Sequence, residues 1–362
     1  MMKDPNSPAE GLSVSQTLLG CPGALVSPLL QSRQRGWELG LPAGVETCGR
    51  TPPVIIAVGG GKGGVGKSLV SANLAARLAA TGRKVLAIDL DFGGANLHTY
   101  FGLGVPKLGL ADALLSRHKS LLEVSLPSPV DGVRIVAGGR EEAWEADFPG
   151  GRGVHPALFE ALLASKEVGQ ADFVVLDLGA GTHRHTIDFY ALAHLGIITV
   201  LPEPTSIENA YLFLKTSLFR LIDNVGEKLA AKQVADEIKN ALTAPAGPGA
   251  AGATGYAEKL RQAAMYHPGF VGQVAQALSG RTLGIAVNQT RSQKDIDVGK
   301  SMEVIGERYF GFQTRCLGYL NYDEAAWKSL RNRRLLVVDF PHAVLSRRFS
   351  DLTRAALTQL GF

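Results

Sequence analysis

Cysteine is scarce in this 362-residue chain, which contains only Cys21, Cys48 and Cys316. Three cysteines that lie far apart form neither a disulfide framework nor a C-x-x-C ligand pair. The scarcity therefore predicts a protein of a reducing compartment, the cytoplasm. It also argues against an iron–sulfur cluster, because such a cluster is held by several thiolates and only Cys316 lies beyond the first 50 residues.

Long apolar runs and a strong charge excess are also absent. No run approaches the roughly 18 apolar residues of a membrane-spanning helix, and the stretch GALVSPLL near the N-terminus is interrupted by serine and proline. The formal net charge of +4 is small for this length, whereas proteins that coat nucleic acid usually carry a clustered basic excess. With 46% hydrophobic and 19% charged residues, the composition is that of an ordinary globular protein.

The sequence pattern changes near residue 51. Residues 1–50 contain scattered proline, glycine and serine without periodicity, which predicts a flexible leader. Over 51–362, short runs rich in valine and isoleucine alternate with helix-like segments, as strands buried on both faces and joined by right-handed crossovers do. We therefore predict an α/β domain with a doubly wound, mainly parallel sheet. The predicted strands are 54–58, 85–89, 133–138, 173–177, 197–202 and 283–288.

A helical insertion is predicted between the last two of these strands, at about 206–280. The tract TAPAGPGAAGATG at 243–255 interrupts it and predicts a mobile loop between helices. After the insertion follow TRCLGYL at 314–320, LLVV at 335–338 and an amphipathic helix from about 342.

Residues 61–68, GKGGVGKS, fit the phosphate-loop pattern G-x-x-x-x-G-K-[ST], with a predicted buried strand before them and a helix after them. Glycines let backbone N–H groups close around a phosphate, and the helix points its N-terminus at the same anion. The pattern assigns Lys67 to the β- and γ-phosphates and the Ser68 hydroxyl to Mg²⁺. We therefore predict that ATP and Mg²⁺ are bound by Gly61, Lys62, Gly63, Gly64, Val65, Gly66, Lys67, Ser68 and Leu69.

Lys62 is a second lysine in this loop, and with it the loop resembles the deviant phosphate loop of the MinD/ParA ATPase family. The resemblance covers about residues 54–360, apart from the insertion, and implies a P-loop NTPase fold of the SIMIBI type. It also implies an ATP-dependent homodimer in which Lys62 reaches a phosphate across the interface. A second cation beside the γ-phosphate stabilises the charge that builds up during transfer. The sequence leaves open whether Lys62 acts in its own subunit or in the partner's.

Three aspartates stand at the ends of predicted strands, where α/β sheets bind their ligands. Asp89 and Asp91 follow the run VLAI, and Asp177 follows FVVL. The resemblance makes Asp91 the residue that orients the attacking water, so that the implied catalytic residues are Lys62, Lys67 and Asp91. Asp177 matches the Walker B carboxylate, which holds Mg²⁺ through its water shell. Asp89 is left with two roles, which are to assist Mg²⁺ through water or to hold the loop.

Other polar residues near predicted strand ends carry further expectations. Asn288, in VNQTR, matches the asparagine with which the family reads adenine, and an Asx turn is the alternative. Pro341 falls where the family often packs the base against the main chain. His183 and His185 lack a third metal ligand, so we interpret them as solvated loop histidines rather than as a metal site.

The stretches LDLGAGTH at 176–183 and LPEPTSIENAYLFLK at 201–215 look closest to the MinD and FlhG/FleN branch of the family. That resemblance implies a slow ATPase that controls spatial positioning, such as the number and placement of flagella, through a protein client that the sequence does not identify. Two alternatives stay open: a ParA-type ATPase of chromosome or plasmid partition, and a ligase-type metabolic enzyme that uses ATP on the same fold.

Two segments bear on whether the protein contacts a membrane or DNA. The apolar face of the closing helix suits either core packing, which a doubly wound fold needs and which we favour, or peripheral binding to lipid at the inner membrane or a cell pole. That face consists of Leu345, Phe349, Leu352, Ala356 and Leu360. The cluster KSLRNRR at 328–334 could touch DNA phosphates, but a solvated helix face is favoured because the net charge is low.

Overall fold

The computed structural model describes residues 53–92, 94–115, 120–138, 168–244 and 255–362. Within these ranges eight strands form one sheet in the spatial order β3-β4-β2-β5-β1-β6-β7-β8. Neighbouring strands are parallel except for the antiparallel pair β3–β4. The strands are β1 (Val54–Gly59), β2 (Val85–Leu90), β3 (Leu126–Pro127), β4 (Val133–Val136), β5 (Phe173–Leu178), β6 (Leu195–Val200), β7 (Thr282–Thr290) and β8 (Gln313–Asn321).

Helices cover both faces of this sheet. A short 3₁₀ turn at Val168–Gln170 and a π-helix at Ile305–Phe310 complete the helical segments of the described ranges. The α-helices are α1 (Lys67–Ala79), α2 (Leu97–Tyr100), α3 (Leu110–Leu115), α4 (Leu121–Val124), α5 (Arg184–Tyr190), α6 (Pro204–Lys228), α7 (Lys232–Thr243), α8 (Tyr256–Ala263), α9 (Pro268–Ser279), α10 (Gln293–Val304), α11 (Glu324–Arg331), α12 (Leu336–Asp339) and α13 (Val344–Gln359).

Strand β1 shows why the sheet is covered on both sides. Its side chains alternate between the two faces, as the period of two requires. Ile56 and Val58 pack in one apolar cluster with α1 and α13, whereas Ile55 and Ala57 pack in another on the opposite face. All four side chains are fully buried. The doubly wound, mainly parallel sheet predicted from the sequence is thereby confirmed.

Each predicted strand run overlaps a strand of the structure, with differences at the ends. The run at 197–202 is shifted, since β6 ends at Val200 and Pro202 has no N–H to continue a ladder. TRCLGYL lies in β8, the two-residue β3 was not predicted, and most of LLVV lies in the short helix α12. No helix in the described ranges is both long and apolar enough to span a membrane.

Helices α6 to α9 lie between β6 and β7, where the sequence predicted a helical insertion. The apolar face of α13 is in the core, where its five apolar residues are at most 4% exposed, so this face packs on the sheet as favoured. The predicted leader at 1–50 and all but the ends of the predicted loop at 243–255 lie outside the described residues.

Candidate nucleotide-binding site

The glycine loop joins the end of β1 to the start of α1 at the carboxyl edge of the sheet. Gly64 and Gly66 adopt left-handed backbone angles, with φ of 79° and 95°, which favour glycine. Gly61 is required for another reason, because a Cβ atom there would lie 2.1 Å from the carbonyl oxygen of Asn209 in α6. The loop is thus curled at one end and pressed against α6 at the other.

Lys67 opens α1 with its side chain buried, at 7% exposure for the residue. Its Nζ donates to the carbonyl oxygen of Lys62 at 3.5 Å, across the loop. Burial lowers the pKa of Lys67, while the charges of Asp177 and Asp91 oppose that shift. An anion bound in the loop would offset the cost of desolvating this ammonium group.

Asp177 is the penultimate residue of β5, and its carboxyl group is buried beside α1. The Ser71 hydroxyl donates to its Oδ1 at 2.8 Å, but Oδ2 is buried without a hydrogen-bond partner. Burial raises the pKa of Asp177 to about 6, although the hydroxyls of Ser68 and Ser71 and the charge of Lys67 lower it. An unpaired buried carboxylate oxygen next to the Ser68 hydroxyl is what a hydrated Mg²⁺ requires, so these two residues fit the ion.

Asp89 lies beside Asp177 on the neighbouring strand β2 and is fully buried. Its Oδ1 accepts from the backbone N–H of Asp91 at 3.0 Å, and its Oδ2 accepts from that of Leu97 at 2.9 Å. Burial and the charge of Asp177 raise the pKa of Asp89 to about 8. Both oxygens of Asp89 are thus hydrogen-bonded to backbone N–H groups, at Asp91 and at Leu97. Of the two roles left open by the sequence, assisting Mg²⁺ or holding the loop, this geometry supports holding the loop.

Asp91 is half-buried and contacts the segment after β5. A Cβ atom on Gly179 would lie 3.3 Å from its Oδ1, and one on Gly94 would lie 3.5 Å from its Oδ2. The loop after β2 therefore rests against the loop after β5. Gly181 of the latter donates its N–H to the carbonyl oxygen of Gly60 at 3.4 Å, which brings all three loops together.

Lys62 is held by the beginning of α6 in the same chain. Its Nζ lies 3.2 Å from Oγ1 of Thr205 and 3.8 Å from Oε2 of Glu203. These two partners were not predicted, although both lie in the stretch LPEPTSIENAYLFLK at 201–215. In the single chain the second lysine is thus paired with a carboxylate at the edge of the loop.

Asn288 ties the loop to β7. Its Nδ2 donates to the carbonyl oxygen of Val65 at 2.9 Å, and its Oδ1 accepts from the N–H of Gln289 at 2.9 Å. Gly66 leaves room for this side chain, since a Cβ there would lie 2.3 Å from Nδ2. An open cleft begins here, and its lining includes Gly66, Leu69, Asn288, Asn321, Tyr322 and Trp327.

The lining of this cleft bears on two predicted residues. Leu69 and Asn288 border it, whereas Pro341 is exposed and lies outside it. Asn321, Tyr322 and Trp327 were missed, and the signal that could have revealed them is their place just after the run TRCLGYL.

The rings of His183 and His185 stack with centroids 5.7 Å apart, and the described residues hold no group of three or more His, Cys, Asp or Glu suited to a metal.

The sequence model of the CobQ/CobB/MinD/ParA nucleotide-binding domain matches residues 56–336, well over half of the chain. The chain belongs to this family. The phosphate loop, β2 with its aspartates, β5 and Asn288 all lie within the matched range. The family resemblance predicted from the double-lysine loop is therefore confirmed, and the loop is that of a nucleotide-binding domain.

Known relatives agree with this family. The chain is 40% identical over 166 residues to the antiactivator FleN of Pseudomonas aeruginosa, covering 45% of this chain and 56% of that protein. It is 33% identical over 160 residues to the flagellum site-determining protein YlxH of Helicobacter pylori, covering 44% and 52%. The chain thus spans about half the length of the curated relatives it matches.

A solved structure supports the fold. The septum site-determining protein MinD of Pyrococcus horikoshii, complexed with Mg-ADP, superposes with a TM-score of 0.54 and 20% identity, covering 84% of this chain and 96% of that one. At this identity the likeness shows the fold alone, which is the P-loop fold of MinD and ParA ATPases.

Proposed function

We propose that this chain is a MinD/ParA-type ATPase switch that binds Mg·ATP, pairs with a second copy when ATP is bound, and hydrolyses ATP slowly. The observation that carries the proposal is the group at the carboxyl edge of the sheet formed by the buried Lys67 and Asp177 with the half-buried Asp91. A cation that is poorly solvated and a carboxylate oxygen without a partner both call for a ligand with phosphate oxygens and a metal ion.

The roles of the chain's residues follow from their positions. The Lys67 ammonium binds the terminal phosphates, and backbone N–H groups of the glycine loop surround them. Ser68 and Asp177 hold Mg²⁺, which when bound neutralises charge on the β- and γ-phosphates. Asp91 would orient a water for attack, because its carboxylate lies against Gly94 and Gly179 beside the glycine loop.

Lys62 acts at the dimer interface in this proposal. Its pairing with Glu203 and Thr205 in the single chain keeps the ammonium at the rim of the loop, where a second copy carrying ATP could receive it. A triphosphate carries more negative charge than one glutamate, so ATP in the facing subunit competes well for Lys62. ATP-dependent pairing then exchanges an intrachain contact for one between chains.

The cellular output is positional. FleN is described as an antiactivator and YlxH as a flagellum site-determining protein, and the chain matches about half of each. We propose that it likewise controls the number or placement of flagella or of another polar structure, through a protein client. The closing helix contributes its apolar face to the core, so membrane contact would require another segment.

Asp91→Ala tests the switch. Without the group that orients water, the variant should bind ATP, hydrolyse it at least about 100-fold more slowly, and elute from a size-exclusion column as a dimer in Mg·ATP. Asp131→Ala, an exposed aspartate away from the site, is the matched control. An Asp91→Ala variant that hydrolyses ATP as fast as the wild type would contradict the proposal. So would a wild-type protein that remains monomeric in the presence of Mg²⁺ and an ATP analogue that cannot be hydrolysed.

A further inference from the structure

A small cavity lies at the amino edge of the sheet, at the opposite end of the strands from the phosphate loop. It is bordered by the end of α5, the middle of α6 and the first residues of β6 and β7. Its volume is about 30 Å³, enough for one small ion or one water. Its polar lining residues are Tyr190, Ser217, Arg281 and Thr282, the others are apolar, and the lining holds no carboxylate.

One unpartnered hydrogen-bond donor and one guanidinium group border this cavity. The Tyr190 hydroxyl is buried and has no hydrogen-bond partner among the described residues. Arg281 interacts electrostatically with Tyr190, but the two side chains form no hydrogen bond with each other. Ser217 is already engaged, because its hydroxyl donates to the carbonyl oxygen of Phe213 at 2.8 Å. A group between the guanidinium and the phenol would accept from both.

Arg220 provides the contrast within the same pair of helices. It extends from α6 to Asp188 of α5, with which its side chain forms an ion pair and two hydrogen bonds. This partner raises the pKa of Arg220, although burial lowers it. Arg281 is half-buried, burial lowers its pKa, and no carboxylate of the described residues forms an ion pair with it. Charges withdrawn from water in proteins are normally paired, so a negatively charged group beside this guanidinium would be favourable.

The backbone is shaped to keep the phenol in place. A Cβ atom at Gly196 would lie 2.5 Å from the Tyr190 oxygen and 2.4 Å from its Cζ, so only glycine leaves room for the ring over β6. The ring is also packed edge-on against Phe213 with centroids 4.9 Å apart. Tyr190 therefore cannot turn away to find another acceptor without losing these contacts.

We propose that this cavity binds a small monovalent inorganic anion of the size of chloride, held by the guanidinium of Arg281 and the hydroxyl of Tyr190. The anion supplies the missing negative charge and accepts the unpaired hydroxyl proton. Its site joins the end of α5 to the start of β7, far from the phosphate loop. Its occupancy is thus a property of the chain distinct from nucleotide binding.

The first test is thermal unfolding of the full chain without nucleotide, in sodium chloride against sodium gluconate at equal ionic strength, because gluconate is too large for the cavity. Wild type should melt at a higher temperature in chloride. Arg281→Met, of similar length but uncharged, should lose the chloride-dependent rise, whereas Arg347→Met, an exposed arginine on α13, should keep it. Tyr190→Phe should weaken chloride binding about tenfold, since a hydrogen bond to a charged group is lost.

The second test locates the anion. Crystals of the wild type grown with sodium bromide should show an anomalous peak within hydrogen-bond distance of both Arg281 and Tyr190. Water in the cavity, no chloride dependence in the wild type, or a chloride dependence that survives in Arg281→Met would each overturn the proposal. So would a bromide peak that appears only at crystal concentrations with no effect on melting. If Arg281→Met does not fold, Tyr190→Phe and the bromide peak still decide the question.

Discussion

Asp89 and Asp177 are direct register partners on the adjacent parallel strands β2 and β5, and both carboxyl groups are buried. Two carboxylates at this spacing repel each other, and desolvation adds to the cost of ionising either one. The pair is supported by different contacts: backbone N–H groups for Asp89, and serine hydroxyls with Lys67 for Asp177. A cation bound at Asp177 would therefore also reduce the electrostatic repulsion that acts on Asp89, so that cation binding and the stability of this part of the fold are linked.

This coupling predicts how stability depends on pH. Burial raises the pKa of Asp89 to about 8, whereas an unfolded aspartate titrates near ~3.9. Between about pH 4 and pH 8 the folded state therefore binds a proton that the unfolded state has released, and this contribution to stability declines as the pH rises and is lost above about pH 8. His98 and His185, whose pKa values are lowered by burial, are neutral in both states only above about pH 7.5.

Between about pH 7.5 and 8.5, the melting temperature of the nucleotide-free protein should fall, and the dependence should be weaker in Asp89→Asn. Differential scanning calorimetry in buffers of equal ionic strength measures both. A melting temperature that rises across this interval, or an unchanged slope in the variant, would contradict the assignment.

Asp89→Asn also tests the loop-holding role by a local measurement. Both oxygens of Asp89 accept hydrogen bonds from backbone N–H groups, whereas the asparagine amide has only one oxygen. Its NH₂ group would therefore face a second N–H donor, and one of the two hydrogen bonds would be lost. We expect faster amide hydrogen exchange over residues 91–97 in the variant, by about tenfold, without a matching change in β1. Asp131→Asn serves as the control, and equal exchange in the two variants would remove Asp89 from this role.

Gly61 and Gly63 form a matched pair in the loop. Alanine at 61 would place its Cβ 2.1 Å from the Asn209 carbonyl oxygen, whereas at 63 the nearest group is the Ala180 methyl at 3.9 Å. Gly61→Ala should lower the free energy of unfolding by about 1–3 kcal/mol because the loop must move off α6. Gly63→Ala should leave it within about 1 kcal/mol. Chemical denaturation without nucleotide distinguishes the two variants. Equal free energies of unfolding would contradict the prediction and show that α6 moves away from residue 61 at little energetic cost.

Elements whose signal lies in neighbouring residues could be predicted from the sequence. Strands such as β1 and β5 are continuous apolar runs, and the phosphate loop is one short pattern between a strand and a helix. The family itself could be predicted because the loop has Lys62 as well as Lys67. These features depend on the order of neighbouring residues, which the sequence displays directly.

Features that depend on distant residues could not be predicted. Lys62 meets Thr205 across 143 positions, and Asn288 meets Val65 across 223. The role of Asp89 follows from the position of the Leu97 N–H, which no pattern in the run VLAIDLD reveals. The cavity between Tyr190 and Arg281 likewise arises only when α5, β6 and β7 come together.

Lys67→Ala tests the charge at the centre of the site. Lys67 is the buried ammonium group of the loop, and its removal deprives bound phosphates of a charge-assisted contact in a poorly solvated place. We expect the affinity for Mg·ATP to fall about 100-fold or more, measured by isothermal titration calorimetry. Lys84→Ala removes an exposed lysine at the amino edge of the sheet and should bind like the wild type. An affinity close to that of the wild type in a well-folded Lys67→Ala protein would show that the phosphates bind elsewhere.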